Sequence, residues 1–151
     1  MIDRKRTACF TGHRNIPTHH RLQLMELLDR MIEALYHKGV VFYGAGGAYG
    51  FDMEAENAVL RARDRHSDIR LILVLPCRDQ DKYWTAENKA VFEEMLQMAD
   101  KIVYTEEAYC RGCMHKREQT PCGLQRLLHC IPHRKQRRYC LHGGVCQTEW
   151  A

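Results

Sequence analysis

Four glycines fall within seven residues in Gly44-Ala45-Gly46-Gly47-Ala48-Tyr49-Gly50, and Phe51-Asp52 follows at once. The apolar run Val40-Val41-Phe42-Tyr43 leads into them at strand spacing, and a helix-like segment, residues 53–65, leads away. A glycine turn between strand and helix lets backbone N–H groups approach a ligand closely and aims the positive end of the helix dipole at it. The usual ligand is a phosphate or a nucleotide. The alternative is a tight β-to-α connection without a ligand, which rarely needs so many glycines.

A second polar group, Thr11-Gly12-His13-Arg14, ends the short apolar run Thr7-Ala8-Cys9-Phe10. Arg14 could clamp a phosphate through two parallel N–H bonds, or sit on a solvated loop. His13 could donate to an anion or move a proton, or satisfy backbone groups at a strand end. Asp52 could hold a ribose hydroxyl, or stabilise the dipole of the helix it opens. Trp84 could stack on a base, or pack against the core. Cys110-x-x-Cys113 has redox or metal-knuckle spacing, which in a lone pair carries little weight.

These residues need a scaffold, and the hydrophobic pattern supplies one. Leu24, Leu28, Met31 and Leu35 recur at helical spacing, Leu27 and Ile32 widen the stripe, and Gly39 stands where a helix C′ glycine would. Strand two is read over 40–43. The second helix would bury Met53, Ala55, Ala58, Val59 and Ala62. Residues 69–75, with Leu71-Ile72-Leu73-Val74-Leu75, suit a strand covered on both faces of a parallel sheet. A third helix starts near Thr85, and Ile102-Val103-Tyr104 forms a fourth strand. Strand–helix alternation with short turns predicts an α/β, Rossmann-like, doubly wound parallel sheet. Ligands of such sheets sit beyond the carboxyl ends of the strands, where strand order reverses. The candidate binding residues are therefore Gly12, His13 and Arg14 after strand one, and Gly44, Gly46, Gly47, Gly50 and Asp52 after strand two. Pro76, Gln80 and Trp84 follow strand three, and Arg117 follows strand four, where Tyr109, Gly112 and Cys113 also lie. None is assigned as catalytic or as a metal ligand.

A chain of 151 residues suits a single core. No apolar stretch approaches the roughly 20 residues needed to span a membrane, and Met1-Ile2-Asp3-Arg4-Lys5-Arg6 lacks the apolar run of a signal peptide. A cytoplasmic protein with reduced thiols is expected. Residues 1–117 carry 18 basic and 17 acidic side chains, whereas residues 118–151 carry 5 and 2. The neutral body gives no electrostatic case for nucleic acid as a partner.

Taken in order, Ala8-Cys9-Phe10-Thr11-Gly12-His13-Arg14, Gly46-Gly47-Ala48-Tyr49-Gly50-Phe51-Asp52, Leu73-Val74-Leu75-Pro76-Cys77 with Gln80 and Trp84, Ala99-Asp100-Lys101-Ile102-Val103-Tyr104, and Gly112-Cys113-Met114-His115-Lys116-Arg117 resemble the YpsA-like family. That family belongs to the SLOG superfamily, with the DprA and LOG proteins. The resemblance implies a Rossmann-like fold over residues 1–117 that binds a nucleotide or nucleotide-derived ligand, as a sensor or regulatory module, with a protein partner or a second copy to read it out. It implies no settled enzymatic activity, and it assigns no particular cofactor beyond a nucleotide-like ligand. The enzymatic alternative is a phosphoribohydrolase of the LOG type. Those relatives carry a proline-glycine-glycine-x-glycine-threonine turn followed by a glutamate, a motif absent here. Glu54 and Glu56 are the other carboxylates near the first glycine loop, and helix-surface acids explain them equally well.

Past Arg117 the resemblance stops. Residues 118–151 form a non-family tail, expected to be poorly ordered or a short helix on the face Leu124, Leu127, Leu128 and Ile131. One extra G after the Arg117 codon lets permitted codons of the tail be re-read as a helix, a strand, a Gly-Gly-Thr turn and a helix, the missing family C-terminus. A frameshift is the expectation, with the fifth strand and last helix missing or replaced and strand four left as an exposed edge. The rival is a real basic tail: Cys110, Cys113, Cys122, His129, Cys130, His133, Cys140, His142 and Cys146 could supply four zinc ligands, and residues 134–138 could meet phosphates.

Overall fold

The computed structural model describes residues 6–10, 12, 15–104 and 126–128. Strand β1 (Thr7–Phe10) is followed by α1 (Arg21–His37), β2 (Phe42–Ala45), α2 (Phe51–Arg65), β3 (Arg70–Leu75), α3 (Ala86–Met98), β4 (Lys101–Tyr104) and β5 (Arg126–Leu128). The strands form one parallel sheet in the order β4-β3-β2-β1-β5. Successive strands step outward from β1 to β4, and β5 returns to the far side of β1. The order therefore reverses between β1 and β5, which puts the switch point of this Rossmann-like sheet beside Gly12.

Register and alternation decide the faces. Ala8, Tyr43 and Leu71 lie in one row, and with Phe10, Ala45, Leu73 and Leu75 they share a core with Leu24, Leu28, Met31 and Ile32 of α1 and with Ala55, Ala58, Val59 and Ala62 of α2. Phe92 and Met95 of α3 join that core. Cys9, Ile72 and Val74 point to the opposite face and are also buried, as the unbroken apolar run of β3 requires.

Local chemistry sets the boundaries. Gly39, at φ 90°, ends α1: its N–H donates to Tyr36 O (2.9 Å) and the Val40 N–H to Leu35 O (3.0 Å), the two bonds of a Schellman turn. Val40 is thus spent on the helix cap, so β2 starts two residues later than its apolar run suggests and extends into Gly44 and Ala45. Thr85 caps α3, its hydroxyl oxygen accepting from the Asn88 N–H at 3.3 Å. Three ion pairs join α1 to α2: Arg21–Glu54, Asp29–Arg61 and Glu33–Arg65. Their near-constant offset means that the helices run parallel, as consecutive crossovers of one hand demand. Between them Tyr43 is fully buried, and its hydroxyl donates toward Ile32 O (3.2 Å) and Val40 O (3.1 Å). Burial pushes that phenol well above the usual tyrosine range.

Two expectations about the C-terminal part change. The place of a fifth strand is filled by Arg126–Leu128, which pair in parallel with β1 in register with Ala8, Cys9 and Phe10; three residues expected on a helical stretch are strand instead, their backbone groups taking up the ladder on the far side of β1. A fifth strand also lies beside β1, not β4. Among the described residues β4 is an edge of the sheet, and β5 lies at the other edge.

Candidate functional site

The carboxyl ends of β1, β2 and β3 converge on the start of α2. Gly12 is solvent-exposed on one side, yet a Cβ added to it would overlap the Phe51 ring. The β1 turn therefore lies directly against the first residue of α2, and only a glycine permits that approach. Phe51 itself is buried and meets Phe10 with ring centroids 6.5 Å apart.

Gly47 is confined more tightly. It adopts φ +70°, and a Cβ there would meet Leu75 Cδ2 at 2.5 Å, Phe92 at 3.1 Å and Gln80 at 3.2 Å. Its N–H donates to Glu56 Oε1 at 2.9 Å, and its carbonyl accepts from Gln80 Nε2 at 3.2 Å. Gly50, at φ 89°, stands at the N-cap of α2, and its carbonyl accepts the first helical bond from the Glu54 N–H.

Three acids crowd the first turns of α2. Asp52, Glu54 and Glu56 are 4%, 6% and 0% exposed, so Glu54 and Glu56 are not helix-surface acids. Glu54 Oε1 accepts from both Nε (2.7 Å) and Nη2 (2.6 Å) of Arg21, which ties the start of α1 to the site. Glu56 faces the glycine loop. Asp52 and Glu56 lie one turn apart on the same side of the helix.

The segment after β3 closes the other flank. Pro76 is buried, and Cys77 is fully buried and takes part in no disulfide. Trp84 meets Tyr49 of the glycine loop edge-to-face at 5.1 Å and Phe92 of α3 at 5.3 Å. Packing thus accounts for Trp84 as found. Beyond it, Tyr83 is 90% exposed, with the Lys82 ammonium 5.5 Å from its ring.

Gly12, Gly44, Gly46, Gly47, Gly50, Asp52, Pro76, Gln80 and Trp84 accordingly lie at or beside the carboxyl ends of β1, β2 and β3. His13, Arg14 and Arg117 lie outside the described residues, as do Cys110, Cys113 and the proposed zinc ligands of the tail. Among the described residues, no group of three or more His, Cys, Asp or Glu could hold a metal ion, and no helix is long and apolar enough to cross a membrane. Sequence reasoning missed the positioning contacts of Glu56, Tyr49 and Phe92. The one signal for Glu56 was an acid on the second turn of a helix opened by glycines.

This arrangement has relatives. The chain is 36% identical over 87 residues to the uncharacterized SPbeta prophage-derived protein YoqJ of Bacillus subtilis, covering 57% of this chain and 51% of that protein. It is 23% identical over 79 residues to a UPF0398 protein of Halalkalibacterium halodurans, covering 52% of this chain and 42% of that one. The chain thus spans about half the length of the curated relatives it matches. Among solved structures, DNA processing protein A of Helicobacter pylori, studied for its single-stranded DNA binding mode, superposes with a TM-score of 0.53 at 21% identity, over 81% of this chain and 51% of that one. At that identity the likeness is one of fold. The sequence model of the YpsA family, described as the YspA SLOG family, matches residues 9–120, about three quarters of the chain, and the chain belongs to that family.

Proposed function

We propose that the chain binds a nucleotide or nucleotide-derived ligand across the carboxyl ends of β1, β2 and β3, and that it acts as a sensor or regulatory module. The observation that carries this reading is the glycine loop, which is fixed by α2 on one side and by Gln80 on the other and opens beside the Gly12 turn. Gly12, His13, Arg14, Gly44, Gly46, Gly47, Gly50, Asp52, Pro76, Gln80, Trp84 and Arg117 make up the proposed site, with Gly47 and Gln80 shaping it from behind. Buried carboxylates at the start of α2 favour a sugar hydroxyl as the group nearest Asp52. The buried cysteines Cys9 and Cys77, neither in a disulfide, accord with a reducing, cytoplasmic setting. The readout partner would be another protein or a second copy.

The experiment is a titration with nucleoside monophosphates followed by Trp84 fluorescence, in a Trp150→Phe background that leaves a single tryptophan. Saturable quenching without release of free base supports the binding module. Release of free base favours the phosphoribohydrolase alternative, and no response at millimolar nucleotide refutes the site.

A second reading, binding of single-stranded DNA, is favoured by the fold neighbour's DNA binding and by the exposed Tyr83 beside Lys82. The expectation against nucleic acid has no support from that comparison. Oligonucleotide titration at two salt concentrations separates the readings, since backbone binding weakens steeply with salt.

For the tail we retain the frameshift as a proposal, with the zinc-binding basic tail as its rival. Reading the coding DNA across the Arg117–Glu118 junction decides it: an extra G there supports the frameshift, and a clean single frame removes it. A frameshifted chain should bind ligand much more weakly than an in-frame repaired version, and equal affinities would refute that expectation.

A further inference from the structure

Both polar groups of the Gly47 backbone are taken by side chains from other elements. A glycine loop that cradles a ligand usually offers its N–H groups to that ligand. Here the Gly47 N–H donates to Glu56 Oε1 at 2.9 Å, and the Gly47 carbonyl accepts from Gln80 Nε2 at 3.2 Å. Glu56 is 0% exposed and Gln80 is 8% exposed, so water does not compete freely for either bond. Gly47 is also wedged against Leu75 and Phe92 at φ +70°. Neither bond belongs to the sheet ladder or to a helix, and both are centred on one residue.

We propose, resting on the nucleotide-binding reading above, that Glu56 and Gln80 are positioning residues: together they lock Gly47 and so fix the directions in which the remaining loop N–H groups face the ligand. Glu56 anchors the loop to α2, and Gln80 anchors it to the turn after β3, so the two flanks of the site move as one. Gly47 itself is not a ligand donor, because its N–H is already spent on Glu56. Gln80, assigned from sequence as a ligand contact, acts through Gly47 instead. The bond to Glu56 is the shorter of the two, at 2.9 Å against 3.2 Å.

The test compares Glu56→Leu, which keeps most of the side-chain volume but offers the Gly47 N–H no acceptor, and Gln80→Ala with the wild-type full chain by amide hydrogen exchange and by AMP titration. Tyr43→Phe serves as a control that weakens the core without touching the loop. Each loop variant should speed exchange at residues 46–50 by about tenfold and leave the amides of β3 protected. Each should weaken AMP binding by a similar factor, whereas Tyr43→Phe should leave AMP affinity unchanged. Since both variants act on one residue, combining them should cost less than the product of the single effects. If Glu56→Leu fails to fold, Gln80→Ala alone decides. Unchanged loop exchange in the folded variants overturns the positioning role, as does unchanged AMP affinity where the wild type binds. A wild-type chain that does not bind AMP counts against the nucleotide reading, and loop exchange then still decides the role of Glu56 and Gln80.

Discussion

Replacing Gly47 with alanine is the sharpest test of the loop geometry. Two costs arise, and they can be separated. The first is conformational: at φ +70° an L-residue loses about 1 kcal/mol relative to glycine. The second is steric: the new methyl would sit 2.5 Å from Leu75 Cδ2 and 3.1 Å from Phe92, both buried. Overpacking of that kind costs about 1–3 kcal/mol. The sum is about 2–4 kcal/mol, which for a chain of this length lowers Tm by roughly 5–15 °C. Gly39→Ala isolates the first cost, because Gly39 has φ +90° but nothing within 4 Å of its would-be Cβ. There the strain is partly offset by the lower entropy of the unfolded alanine chain, leaving a change of about 1 kcal/mol or less. Thermal and urea unfolding of the two variants beside the wild type measure both numbers. If Gly47→Ala unfolds within about 2 °C of the wild type, or if Gly39→Ala loses as much, the packing argument for the loop is refuted.

Three further outcomes follow from the same geometry. Gly12→Ala should push Phe51 aside and destabilise the chain by about 1–3 kcal/mol, with the largest chemical-shift changes at the start of α2; shifts confined to residue 12 would contradict the close approach. Tyr43→Phe should cost about 1 kcal/mol at neutral pH through the loss of its buried hydroxyl bonds, read from urea midpoints. The raised Tyr43 pKa gives stability that is full below the unfolded value near 10 and is lost as pH rises past it; the alkaline fall in stability should therefore be shallower in Tyr43→Phe. Glu33 is held below its ordinary 4.5, first by the His66 hydrogen bond and then by Arg65. Its contribution is present above that value and is lost as pH falls through the lowered pKa, so Glu33→Gln should flatten the acid limb of the stability profile below about pH 4.5.

Much of this molecule was legible in its sequence, for identifiable reasons. Each of the first four strands carries an apolar run bounded by glycine, proline or polar residues, and α1 shows a clean stripe from Leu24 to Leu35, so their type and order could be read directly. The glycine loop was found because glycine density is itself a backbone signal. What escaped was tertiary. The purpose of Gly47 depends on Leu75 and Phe92, which are distant in sequence, and glycine looks the same whether it makes room for a ligand or for a leucine. Glu56 stood undecided between an acid near the loop and a helix-surface acid, because polarity alone does not show that an acid is turned inward toward a backbone N–H. The start of β2 was misplaced because Val40 serves a helix cap while looking like a strand residue. The strand Arg126–Leu128 could not be anticipated, since three residues carry no periodicity and only the free side of β1 selects them.

Backbone amide shifts of the full chain during titration with AMP test the central claim most directly. A nucleotide held at the proposed site gives saturable shifts at Gly12, at Gly44, Gly46 and Gly50, at Asp52, and between Gln80 and Trp84, with the far end of the sheet around His66 and Ser67 unmoved. Absence of shifts, or shifts gathered at that far end instead, would contradict a nucleotide site at the carboxyl ends of β1, β2 and β3.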